Sequence, residues 1–484
     1  MNSRVIALLA PAVLGLVVLA GAPVAAGALP AAGVRAAAGG TWQKAIEVPG
    51  MTALNKDDNA QTTAVSCASA GNCAAGGFYT DVFGGSEPFV VSQVRGRWGK
   101  AIEVPGTAGL NHVDMQITSV SCASAGNCAA GGFYIDASRR SQAFVVSQLR
   151  GRWGKAIEVP GTAGLNHGDA RLTSVSCAPA GSCAGGGFYT DASRRSQAFV
   201  VGQVRGRWGK AIEVPGTPGL NHAGAQITSV SCAPAGNCAA GGFYTDASRR
   251  TQAFVVGQVR GRWGKAIEVP GTAALNKGGG GEITSVSCRL AGSCAAGGSY
   301  TDASLRFQAF VVSQVRGRWG KAIEVPGTAA LSKAGYAQIT SVSCGSAGNC
   351  GAGGYYQNAS LSFAQAFVVS QVSGRWGKAI EVPGTAALNR GGRAVTAAVS
   401  CAPAGNCGAG GFYTDASHRS QAFVISQVSG RWGKAIEVPG TPSLNHGDAQ
   451  INSLSCASAG NCGAGGFYTD ASHGTEAFVI SETT

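Results

Sequence analysis

From residue 41 to the C-terminus, apolar and polar positions run through the same order eight times. The second unit shows the pattern. Ile117 to Cys122 alternates and is rich in Ser, Thr and Val. Ala129 to Tyr134 is a second apolar run, loosened by Gly131-Gly132. Ala143 to Leu149 has a continuous Phe-Val-Val centre, and Trp153 to Val159 ends at Pro160-Gly161. Each run has strand length and is bounded by turn residues, so each unit predicts four short strands. No window outside the N-terminal segment carries a helical period. Short apolar strands suit sheets covered on both faces.

Four strands per unit, repeated without helices, predict an all-β fold: an eight-bladed β-propeller of four-stranded blades. One tryptophan marks each unit: Trp42, Trp98, Trp153, Trp208, Trp263, Trp319, Trp376 and Trp432. The two ends of the chain complement each other. Trp42 to Val48 is a fourth strand without its blade, and the C-terminal unit stops after its third strand, near Ala477 to Ser481. Joining them closes the ring, with the N-terminal strand completing the last blade. An open solenoid gives no reason for this permutation.

The first forty residues read differently. Arg4 precedes an apolar run from Val5 to Ala22, and Ala26-Gly27-Ala28 fits a processing site. The expected organisation is a signal peptide over 1–28, a short linker over 29–40 and the propeller over 41–484, with no membrane span after signal removal. An uncleaved anchor is the alternative, because the run approaches the ~20 residues that span a bilayer; Pro23 and the Ala/Gly-rich end favour cleavage. The protein is thus expected to be secreted, extracellular or associated with the cell wall, and the Ala, Gly, Val and Arg usage suits a high-GC bacterial genome. With 75 glycines and no three-residue period, the composition points to tight turns and close packing, not collagen. A formal charge of +13 favours anionic partners, and export favours cell-surface polymers or acidic glycans over nucleic acid.

The glycine pair Gly131-Gly132, the aromatic Tyr134, the apolar third strand and Trp153 with Pro160 seven residues on together resemble the kelch repeat. The likeness covers 41–484, and the chain is also similar to secreted bacterial propeller repeats of the SVSC…GNC kind. It departs from the kelch pattern in its longer unit and its two cysteines per blade. The resemblance implies a propeller. Kelch-like propellers serve mostly as binding scaffolds, and a few are oxidases.

The cysteines recur as C-x5-C: Cys67-Cys73, Cys122-Cys128, Cys177-Cys183, Cys232-Cys238, Cys288-Cys294, Cys344-Cys350, Cys401-Cys407 and Cys456-Cys462. Each pair flanks the turn between first and second strands. Facing positions across a hairpin neck suit disulfides, with Cα atoms ~5.5 Å apart, and an exported chain favours oxidation. A metal site is the weaker reading, because each blade offers two thiols without a partner histidine. No cofactor is implied.

Strand alternation sorts the loops onto two faces. One displays the cysteine hairpins and the Arg-Gly-Arg-Trp turns. The other carries the second-to-third loops, such as Ile135 to Arg140, and the blade-to-blade loops, such as Gly161 to Ala170. On this second face a basic or imidazole residue follows each Leu-Asn or Leu-Ser: Lys56, His112, His167, His222, Lys277, Lys333, Arg390 and His446. Such residues suit an anionic ligand, and the histidines gain charge as pH falls. Arg139-Arg140 and Arg194-Arg195 can grip carboxylate or phosphate, although the pair fades in later blades (Leu305-Arg306, His418-Arg419). The ligand-binding candidates are therefore Asp136, Arg139, Arg140, Asn166 and His167 with their equivalents Asp191, Arg194, Arg195, Asn221 and His222. A solvated loop of shared ancestry is the plainer reading of the same residues. The recurring Trp and Tyr are expected to pack blades, and Glu103 and Glu158 to lie on the outer edge as charges that discourage sheet-to-sheet aggregation.

A catalytic centre needs different groups converging at one place, whereas near-identical blades offer the same residues repeatedly, so no catalytic residue is assigned. Repetition suits multivalent binding. The expected function is a secreted, lectin-like protein recognising an anionic or polyhydroxylated surface polymer. A scaffold for a protein partner is the alternative, and a hydrolase, its carboxylates drawn from Asp136-type residues of different blades, is the weaker third.

Overall fold

The computed structural model describes residues 40–484 except 111 and 359–362; the expected signal peptide and linker lie outside the described residues. The architecture is an eight-bladed β-propeller. In the second blade the strands are His112–Ser124, Asn127–Asp136, Ser141–Leu149 and a fourth position made of two pieces, Arg152–Trp153 and Ile157–Glu158. Both pieces pair antiparallel with the third strand. The fourth strand is thus not the continuous run expected from Trp153 to Val159. At the interruption the Ala156 N–H leaves its own sheet and donates to the Pro105 carbonyl of the preceding blade (2.7 Å). The same Ala-to-Pro bond recurs at every blade boundary, from Ala45 to Pro439 round to Ala435 to Pro383.

Closure occurs as expected. Thr41–Trp42 and Ile46–Glu47 both pair with Thr475–Thr483 of the eighth blade. The connectors hold one element that strand patterning missed. A single helical turn follows each Pro-Gly, as at Thr162–Gly164 and Thr272–Leu275. One turn is too short to generate a periodic signal. Gly161 before it takes φ 89°, a left-handed conformation that glycine adopts at little cost.

Packing between blades explains the repeated motifs. Each hydrophobic cluster spans two neighbours: Ala198, Val200 and Val214 of blade 3 pack with Ile227, Val230, Phe254 and Val256 of blade 4. The glycine doublet has two separate causes. A Cβ on Gly131 would lie 2.6 Å from Leu172 of the next blade, and one on Gly132 would lie 2.0 Å from the Gln116 carbonyl. The second contact sits beside a register shift between Ile117 and Ser119. So the first glycine admits a neighbouring side chain and the second admits a bulged backbone.

The S-V-S-C motif stitches first strands together. Its second serine accepts the N–H of the next blade's first cysteine: Ser121 from Cys177 (2.8 Å), Ser176 from Cys232 (2.9 Å), and finally Ser455 from Cys67 (2.9 Å). All sixteen cysteines pair as expected. Their Cα atoms stand 3.9–4.0 Å apart, closer than anticipated, because the two residues are direct cross-strand partners. Eight disulfides fit an oxidising, extracellular setting. Among the described residues no helix is long and apolar enough to cross a membrane.

Candidate functional site

The two faces form as the strand order requires. On one, cysteine hairpins meet Arg-Gly turns: Gly151 N–H donates to the Gly126 carbonyl (2.8 Å), and Arg150 N–H to Asn127 Oδ1 (3.1 Å). Arg150 and Gly151 both have positive φ, 50° and 80°, the geometry of a two-residue hairpin turn.

The opposite face gathers the candidate residues. Asp136 Oδ1 accepts the N–H groups of Ser138 (2.8 Å) and Arg140 (3.0 Å), and Oδ2 accepts the Gln142 amide (2.9 Å). Gln142 then accepts from Asn166 (2.9 Å), which also receives the Gly168 N–H. Asp136, Gln142 and Asn166 therefore tie the second-to-third loop to the following blade-to-blade loop. The same chain runs through Asp191, Gln197 and Asn221. Both aspartates are folded into their own turns. Burial raises the Asp136 carboxyl, and donors from Arg140, Gln142 and Ser138, with the Arg140 charge, outweigh this and hold it below its ordinary value. Burial likewise raises Asp191, and Gln197, Arg195 and Ser193 bring it below that range.

This framework carries the cationic residues outward. Arg139, Arg140, Arg194 and Arg195 are exposed, as are His167 and His222. Arg139 and Arg194 take φ 61° and 60° at the loop tip. Arg195 approaches Asp191 at 3.6 Å. His167 is fixed by its backbone, whose N–H donates to Thr190 (2.7 Å), leaving the ring in solvent. The equivalents Lys56, Lys277, Lys333, Arg390 and His446 are exposed too. Aspartates and asparagines thus order the loops, while arginines and the basic ring face solvent.

Glu158 is more than the edge charge expected of it. It accepts from Thr162 (3.1 Å) and from the Tyr134 hydroxyl (3.5 Å). Burial, together with this carboxylate, pushes the Tyr134 phenol far above its usual range. Glu158 therefore anchors the start of the connector to the second strand, and Glu268 does the same with Tyr244 (3.2 Å).

Sequence reading missed one asymmetric feature of this face. Phe307, Tyr336 and Tyr355 stack between blades 5 and 6, at centroid separations of 5.2 and 5.7 Å. Only Tyr355 stands at a repeated aromatic position. Tyr336 arises from a connector insertion and Phe307 from a Ser-to-Phe change, so the repeat pattern gave no signal for the cluster.

No family model matches the chain, and no curated protein matches it significantly. Solved structures do align with it. The BP39L lectin from Burkholderia pseudomallei aligns at 17% identity over 79% of this chain and 99% of its own, with a TM-score of 0.46. Sqt1 from Chaetomium thermophilum aligns at 12% identity over 90% and 97%, with a TM-score of 0.49. An α-L-arabinanase from Penicillium chrysogenum aligns at 8% identity over 92% and 98%, with a TM-score of 0.39. At such identities and TM-scores the likeness carries no functional information; the chain is an eight-bladed, disulfide-bearing propeller.

Proposed function

We propose that the chain is a secreted, multivalent, lectin-like binding protein that recognises an anionic surface polymer through its loop face. The observation carrying this reading is the exposed Lys, Arg or His of the blade-to-blade loops (Lys56, His167, His222, Lys277, Lys333, Arg390 and His446), reinforced in blades 2 and 3 by Arg139, Arg140, Arg194 and Arg195. The ordered loops beneath them reduce the entropy lost when a ligand binds. Carboxylates that a hydrolase would need, Asp136 and its equivalents, are each occupied with their own loop, which supports binding over hydrolysis.

Repeated weak contacts with a repeating ligand gain avidity, on the order of 10²–10⁴ over a single contact. Polygalacturonate and neutral dextran are suitable probes, presented to the mature chain at low and high salt. Salt-sensitive binding to polygalacturonate but not dextran is expected. Replacing Arg139, Arg140, Arg194 and Arg195 by serine should weaken it by about tenfold or more. Undiminished binding would remove these arginines from the site. A protein partner saturating at one-to-one stoichiometry, with no polymer bound, would replace this reading with the scaffold.

A further inference from the structure

Near-identical blades make a departure from the repeat informative. On the cysteine-hairpin face, the third strand carries a serine after its Phe-Val-Val or Phe-Val-Ile segment in six blades: Ser92, Ser147, Ser313, Ser370, Ser426 and Ser481. This hydroxyl accepts from the next blade, although Ser92 meets only Gln148 (2.9 Å) and leaves the buried Trp153 indole N–H without a partner. Ser147 accepts Nε2–H of Gln203 (2.7 Å) and the indole N–H of Trp208 (3.2 Å), both from the next blade. Ser370 does the same for Gln427 (3.0 Å) and Trp432 (3.2 Å).

In blades 3 and 4 this position is Gly202 and Gly257; beside Gly257 the facing Gln314 amide turns to the Gly317 carbonyl (3.3 Å), so the comparison rests on Gly202. Among the described residues the facing donors, Gln258 and Trp263 of blade 4, have no side-chain hydrogen-bond partner. Gln258 as a whole is only 7% exposed, and its amide lines the cleft, where it meets solvent. The missing hydroxyl also changes the shape. Beside Ser147 the cleft holds about 270 Å³ and reaches Cys183 and Gln203 but not the tryptophan. Beside Ser370 a separate outer cleft of about 540 Å³ is lined by Trp376, Lys378 and Trp432 but not the cysteines. Beside Gly202 the inner and outer parts merge into one cavity of about 620 Å³, running from Cys183 and Gln258 to Lys210 and Trp263.

We propose that this cleft between blades 3 and 4 is a binding site for an acidic saccharide unit, one ring bearing a free hydroxyl and a carboxylate. A ligand hydroxyl at the vacant serine position accepts from Gln258 and Trp263, as Ser147 and Ser370 accept from the equivalent pair in other blades. Val200, Ile212 and the half-buried Trp263 ring offer an apolar wall to the C–H face of a sugar. Lys210 and Arg260 stand exposed at the rim, where they attract a carboxylate. The volume falls within the range of small-molecule sites. This site lies on the face opposite the basic loops and does not depend on the function proposed for them.

Sodium glucuronate is the probe, with glucose as its neutral counterpart, followed through the indole N–H resonances in ¹H–¹⁵N spectra. Glucuronate is expected to shift one indole resonance saturably, assigned by its absence in Trp263→Phe, with glucose about tenfold weaker. Gly202→Ser should abolish the response. Serine fits, because a Cβ on Gly202 meets nothing nearer than the Gln258 amide at 3.9 Å, and the variant should melt no lower than the parent. The serine variant of the four loop-face arginines should retain glucuronate binding, so the two sites fail independently. No indole shift with glucuronate, or the same shift in Gly202→Ser, overturns the site. Equal affinity for glucose overturns its acidic specificity.

Discussion

Glu476 stands where six other blades carry glutamine, among them Gln142 and Gln197. A glutamine there donates to the loop aspartate and accepts from the loop asparagine, as Gln142 does between Asp136 and Asn166. Glu476 can do only half of this. Its Oε1 accepts from Asn55 (2.9 Å), and its buried Oε2 has no partner. Burial pushes its carboxyl up to about 7 from 4.5; the Asn55 bond opposes this, and the charges of Glu47, Asp470 and Asp58 add to it. A carboxyl raised on folding favours the protonated native state. Its contribution is full below about 4.5 and is lost as pH rises through about 7. Glu476→Gln should therefore raise the melting temperature at pH 8 and leave it nearly unchanged at pH 4. After allowance for solvent screening, the gain is on the order of 1 kcal/mol. Thermal melts across that range test it, and a variant less stable at pH 8 would refute the assignment. Asp136 and Asp191 act in the opposite sense, since their depressed values are stabilising above the ordinary carboxylate range and lose that contribution in acid.

At the scale of the element, the S-V-S-C strand shows how a motif can be read correctly for fold and incompletely for purpose. Its second serine is present in all eight blades, whereas the first is replaced by Ala64 and Ala398 in two. Removing the second strands a buried backbone N–H, at a cost of about 1–3 kcal/mol. Ser176→Ala, which frees the Cys232 N–H, and Ser174→Ala, which frees that of Val230, should each destabilise the protein by about that amount; denaturant titration of the two variants against the parent tests it. Blade number, cysteine pairing and the two faces were legible because they follow from spacing and alternation. The serine ring was not, because a serine has the same polarity whether it meets water or the next blade. The interrupted fourth strand was hidden for a related reason: Ala156 bonds Pro105 of another blade, a partner outside any local window. The candidate site divides in the same way. Arginines at the loop tips and the imidazoles of the blade-to-blade loops were legible as exposed polar groups, while Asp136 and Asn166 belong to residue types that serve turns as readily as ligands. The Glu158–Tyr134 contact spans a blade and leaves no sequence signature.

For the molecule as a whole, stability rests on two concentric rings of contacts between blades, serine to cysteine N–H inside and alanine N–H to proline carbonyl outside. Both rings cross the joint between the chain ends, through the Cys67–Ser455 and Ala45–Pro439 bonds. There the N-terminal segment also buries Trp42, Ala45 and Val48, and the Trp42 indole donates to Ser426 (3.0 Å). Deleting residues 40–48 removes these contacts and leaves Thr475–Thr483 as an open strand edge, which invites association with other chains. The truncated protein should melt lower and associate with rising concentration. The register at the joint supplies the control. Thr41 faces Thr483 as Arg207 faces Val204 in blade 3, so Thr484 and Gly40 occupy the places of Arg205 and Gly206 in that blade's hairpin turn. A chain that begins at Pro49 and carries residues 40–48 directly after Thr484 therefore recreates the two-residue turn that other blades already use. It should fold, remain monomeric and melt close to the parent. Calorimetry and size-exclusion chromatography on the two variants separate the requirement for the strand from any requirement for its place in the chain. Equal melting of the truncated and parent proteins would show that the joint contributes nothing to the ring.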